Sequence, residues 1–191
     1  MNRAKDRGTG PKRAPAPLNR VRLDELALAY VARFSTTRAR LEAYLRRKLR
    51  ERGWDGEGEP PLAALTERLS DAGYIDDAAY ARAKRGSLLR RGYGGARVDQ
   101  ALGAAGIDSE LRTALRPGAG EERRAALALA KKRRLGPFGM APPDRARREK
   151  QLAAMLRAGH RLDSARELVD APSVEVAQDW ARGEDDEDEE A

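Results

Sequence analysis

The chain contains no cysteine, a single histidine and only nine aromatic side chains among 191 residues. Without cysteine it has no disulfide, no thiolate metal ligand and no cysteine nucleophile. With His160 as the lone imidazole, neither a two-histidine metal site nor a histidine-centred catalytic triad can be assembled. His160 directly follows a glycine, a position that fits helix-end packing. Aromatics at 5% exclude a large aromatic core, so the buried stripes must be narrow and built of Leu and Ala. Apolar runs fall short of the roughly 18 residues that cross a bilayer, and the first residues lack the apolar core of a signal peptide. A soluble, cytoplasmic protein is expected.

Charge is abundant instead. Charged residues make up 36% of the chain and the net charge is +7. That figure hides an asymmetry, because residues 172–191 hold nine acidic side chains and one basic, while 1–171 hold 37 basic and 22 acidic, a net of +15. A body this basic attracts polyanions, of which nucleic acid is the commonest in a cytoplasm. The alternative is a set of solvated helix faces rich in arginine. The run Glu184 to Glu190 repels itself and cannot fold. It reads either as a solubilising tail or as a polyanion mimic competing for the basic body, with Trp180 as a small anchor.

A phrase recurs in register at Leu49 to Gly53, Leu102 to Gly106 and Met155 to Gly159. Each copy has a large apolar residue four positions before the glycine and a leucine nine positions after it: Leu62, Leu115 and Leu168. Such a period marks an internal repeat of helical units, which as a rule presents a recognition surface rather than a single pocket. Apolar spacing of three and four places helices throughout, and no segment alternates with the period of a strand. The expected architecture is all-α: an elongated array of three tandem three-helix modules over 21–74, 75–117 and 118–171. A disordered basic arm over 1–20 and an acidic disordered tail over 172–191 flank it.

Within this frame, Leu26, Ala27, Tyr30, Val31 and Phe34 share one face of the first helix. Ser35, Thr36 and Thr37 offer caps to the second. Asp76-Asp77 could hold a hard cation, but Asp76 suits a helix cap and no further ligands lie at a recognised spacing. The turn Gly92-Tyr93-Gly94-Gly95 lacks the lysine and hydroxyl of a phosphate-binding loop and follows a helix, so it reads as a helix break. No catalytic residue, metal site or cofactor is expected.

Two segments are the most identifying: Gly73-Tyr74-Ile75-Asp76-Asp77-Ala78-Ala79-Tyr80-Ala81, and Arg91-Gly92-Tyr93-Gly94-Gly95-Ala96-Arg97-Val98 with Leu102 and Gly106-Ile107. With Leu41 to Gly53 and Lys132-Arg133-Arg134-Leu135-Gly136, the chain resembles the RecX family of bacterial RecA regulators over roughly residues 23–170. The resemblance implies a non-enzymatic protein of the DNA-repair and SOS response that binds the RecA recombinase, chiefly as its filament on single-stranded DNA. It implies suppression of ATP hydrolysis, recombination and coprotease activity. The expected partners are RecA and the RecA–DNA filament, with a weak direct contact to single- or double-stranded DNA, no membrane, and a monomeric state. The candidate contact residues are Arg46, Arg47, Lys48, Arg50, Arg90, Arg91 and Arg97, with Tyr93 as an amphipathic contact. The alternative is a helical nucleic-acid-binding protein that acts without RecA.

Overall fold

The computed structural model describes residues 16–141 and 143–183. Most of the basic arm, and the acidic run from Glu184, lie outside them. The described residues form ten α-helices: α1 (Arg20–Val31), α2 (Arg38–Arg52), α3 (Leu62–Asp71), α4 (Asp77–Arg90), α5 (Gly95–Gly103), α6 (Ser109–Ala114), α7 (Ala119–Arg133), α8 (Arg145–Arg157), α9 (Leu162–Val169) and α10 (Val174–Arg182). No strand occurs among them, only an isolated bridge between Leu18 and Trp54. The chain divides into two compact units, one comprising the residues up to Ser35 with Arg40–Ile75, the other Thr36–Ala39 with the residues from Asp76 onward.

The core of the first unit is leucine-built. Leu23 of α1, Leu41 and Leu45 of α2, and Leu65 and Leu69 of α3 are buried together. Each such side chain contributes on the order of 2 kcal/mol when taken from water. Residues 16–20, expected as part of the disordered arm, are instead fixed. Leu18 is fully buried, its amide donates to the Gly53 carbonyl at 3.0 Å, and its carbonyl accepts from the Asp55 amide at 2.8 Å. The Asn19 side chain then caps α1 by accepting from the Arg22 amide. A lone leucine amid prolines and arginines carries no periodicity, so the sequence pattern passed over it. Helix α1 also stops at Val31, which leaves Phe34 56% exposed instead of on a buried face.

The second unit holds two cores. One gathers Leu88, Val98, Leu102, Ile107 and Ala125; the other gathers Leu129, Leu152, Met155, Leu168 and Ala177. Helix α7 contributes to both, and Tyr93 packs against both. Part of the expected acidic tail belongs here. Residues 174–182 form α10, capped by Ser173 and buried through Ala177 and Ala181, with Trp180 packed on the Met155 core. Glu175 and Asp179 lie on its outer face, and their charge masked a stripe of small apolar residues in the sequence. This tenth helix corrects the expectation of nine.

The repeat glycines end their helices with positive φ: +81° at Gly53, +77° at Gly106 and +91° at Gly159. The carbonyl four residues before the second and third glycines accepts from the amide just after them, Ile107 to Leu102 at 3.1 Å and His160 to Met155 at 3.2 Å. This 6→1 bond is the Schellman closure.

Candidate partner-binding surfaces

The cationic face of α2 belongs to the first unit. Arg46 donates to Glu42 at 2.7 Å and Lys48 to Glu51 at 2.6 Å. The Lys48 hydrogen bond holds the Glu51 carboxyl below its usual range. Arg47 lies 3.7 Å from Glu51 and its guanidinium sits 5.6 Å from the centre of the Tyr44 ring. Arg50 is exposed. Exposed pairs of this kind contribute about 0–1 kcal/mol each, so a polyanion can draw these cations from their partners at little cost.

Arg90, Arg91 and Arg97 belong to the second unit, around the turn from Gly92 to Gly95, and all three are exposed. The Arg91 guanidinium lies 5.2 Å from the centre of the half-buried Tyr93 ring. Arg97 hydrogen-bonds Gln100 one turn on. The turn itself is held from below. Gly94 donates its amide to the Ala158 carbonyl at 2.9 Å, and Ala96 donates to Gly159 at 3.3 Å. His160 Nε2 donates to the Gly92 carbonyl at 3.0 Å. A carbonyl only accepts, so the neutral imidazole carries its proton on Nε2. Burial lowers the His160 pKa, and the Gly92 hydrogen bond offsets this in part. The glycine-rich segment is therefore a docking joint as well as a helix break.

The acidic pair is divided between two caps. Asp76 accepts from the Ala79 amide at 2.7 Å and starts α4, while Asp77 accepts from the Arg38 amide at 2.9 Å at the start of α2. Thr37, offered as a cap for α2, donates its buried hydroxyl to the Ala105 carbonyl at 2.5 Å. Among the described residues no group of three or more His, Asp or Glu side chains is placed to hold a metal, and no helix is long and apolar enough to cross a membrane.

Sequence reasoning missed the aromatic neighbours of the α2 cations. Tyr30 and Tyr44 stack with ring centres 4.3 Å apart, and Phe34 lies 5.2 Å from Tyr30. The available signal was the scarcity of aromatics, three of which fall within fifteen residues beside an arginine run.

No family model matches the chain. It is 32% identical over 176 residues to the regulatory protein RecX of Myxococcus xanthus, an alignment spanning 87% of this chain and 94% of that relative. The chain belongs to the RecX family. RecX of Stenotrophomonas maltophilia is 34% identical over 167 residues, again spanning 87% of this chain and 94% of the relative. The crystal structure of RecX from Lactobacillus salivarius superposes with a TM-score of 0.60 over 78% of this chain and 94% of that one. At 20% identity, that likeness shows the shared all-helical fold alone. These two relatives are named regulatory proteins, and a regulatory role is the function that their names support.

Proposed function

We propose that this protein is a non-enzymatic regulator that binds the RecA recombinase, mainly as its filament on single-stranded DNA, and inhibits its ATPase, recombinase and coprotease activities. The observation that carries this reading is the match to regulatory RecX along nearly the whole of that relative. The basic body supports it, as do the exposed arginines beside a turn whose backbone is fixed by three hydrogen bonds. In this reading residues 21–74, 75–117 and 118–171 act as three modules, each making a weak contact, and linkage turns weak contacts into firm binding. Arg46, Arg47, Lys48, Arg50, Arg90, Arg91, Tyr93 and Arg97 are the proposed contacts, and the protein works as a cytoplasmic monomer.

The test is single-stranded-DNA-dependent ATP hydrolysis by the cognate RecA while this protein is titrated. Inhibition is expected at or below stoichiometric protein. Arg90→Glu combined with Arg91→Glu should raise the inhibitory concentration by roughly tenfold, the scale of a lost charge complementarity, with the helical content unchanged. Full ATPase activity at stoichiometric protein would overturn the proposal.

A further inference from the structure

A groove of about 750 Å³ opens between α1 and α2 in the first unit. Tyr30, Phe34 and Tyr44 line it together with Arg33, Arg40, Arg47 and Arg50, and no carboxylate does. Three of the chain's nine aromatic side chains thus converge here, Tyr30 and Tyr44 packed against the leucine core and Phe34 beyond it. Tyr30 and Tyr44 stack at 24° and are partly buried, which makes a fixed bed; Phe34 tilts at 50° against Tyr30 and is 56% exposed. Three other grooves differ. That near Gly136 includes Asp170, that near Gly95 includes Asp99 and Glu122, and the basic one near Arg134 has no aromatic ring.

An exposed ring beside four guanidinium groups suits a ligand that offers flat π faces and a regularly spaced negative backbone. From this juxtaposition we infer that the α1–α2 groove is a binding site for single-stranded nucleic acid, with a base stacked on Phe34 and phosphates held by Arg33, Arg40, Arg47 and Arg50. Stacking on aromatic rings combined with a cationic track is how single strands are bound without sequence preference. A duplex keeps its base faces covered and leaves Phe34 without a partner. An acidic peptide would satisfy the arginines but gives no reason for an exposed ring above a stacked pair. The site acts on nucleic acid alone, and its test contains no recombinase, so it fails or stands separately from the RecA proposal.

The test is fluorescence anisotropy of the full-length protein with a labelled oligodeoxythymidylate of about 15 nucleotides, within the range one such site covers. An abasic strand of equal length, a duplex and an oligoglutamate serve as comparisons. The oligothymidylate should bind roughly tenfold more tightly than the abasic strand, since the two share phosphates and differ in stacking. Phe34→Ala should bring the two strands to equal affinity, while Phe34→Trp keeps the difference. Arg33→Glu should weaken both strands alike. Phe34 lies on the surface, and equal circular dichroism of the variants checks that folding is intact. Equal binding of the thymidine and abasic strands by the wild-type chain, unchanged binding by Phe34→Ala, or a preference for duplex or for oligoglutamate would each overturn the inference.

Discussion

A methyl group at residue 159 has nowhere to go: an added Cβ would lie 2.4 Å from the Arg97 amide nitrogen. Gly53 has the same sign of φ but open space around the position. Two residues at one repeat position therefore separate two costs. Gly53→Ala should lose about 1 kcal/mol for the left-handed backbone alone, whereas Gly159→Ala adds an overpacking penalty and should lose about 3 kcal/mol. Urea denaturation of the two full-length variants checks the difference; equal losses would show that the joint at Arg97 yields freely. Beside it, His160 supplies a titration without ambiguity, because no other histidine exists in the chain. Its folded pKa lies below 6.5, chiefly through desolvation. Below pH 6.5 the unfolded chain takes up a proton that the folded chain resists, so stability is full above 6.5 and falls as the pH drops toward the lowered folded value. Thermal unfolding across that window should show the decline in the wild type and not in His160→Gln, which keeps a donor for Gly92 and cannot titrate.

At the level of elements, two buried hydrogen bonds in the second unit span the same long interval. The Thr37 hydroxyl reaches the Ala105 carbonyl, and His160 reaches the Gly92 carbonyl, each pair 68 residues apart. Within the second unit, His160 follows the glycine-stopped end of α8 and ties it to the turn that leads into α5. The glycine periodicity was legible because local backbone chemistry sets it, and so was the Asp76 cap. The joints were not legible, since a hydrogen bond 68 residues long leaves no trace in spacing. Gln151 makes the same point. It stands where the other copies have Leu45 and Val98, and only the structure shows its Oε1 accepting from the Gly136 amide at 2.9 Å. Helix α10 was missed because charge was weighed before the Ala177–Ala181 stripe. Asp77 offers the sharpest test at this scale. Its carboxylate satisfies the first free amide of α2, so Asp77→Ala should lose about 1 kcal/mol and Asp77→Asn much less. Hydrogen exchange at the Arg38 amide reads the effect directly, and an unchanged protection factor in Asp77→Ala would show that the cap contributes nothing.

For the whole molecule, charge was legible from composition, while the partition of the cations was not. Arg46 and Lys48 are tied to carboxylates within their own helix, Arg50 lines an aromatic groove, and Arg47 does both, lying 3.7 Å from Glu51 at the groove wall. The charge asymmetry itself leads to a prediction about the residues beyond Gly183. Removing Glu184 to Ala191 deletes seven carboxylates and takes the net charge from +7 to +14. If that run competes with polyanions for the basic body, the shortened protein should associate with an oligothymidylate several-fold faster at low ionic strength, because long-range attraction sets the encounter rate. The advantage should vanish near 1 M salt, where the Debye length contracts to about 3 Å. The equilibrium slope of log affinity against log salt should steepen in the shortened protein, since cations no longer screened by the tail release their own counterions on binding. Stopped-flow association at several salt concentrations separates this from a purely solubilising role, for which the two proteins would show the same rate at every ionic strength.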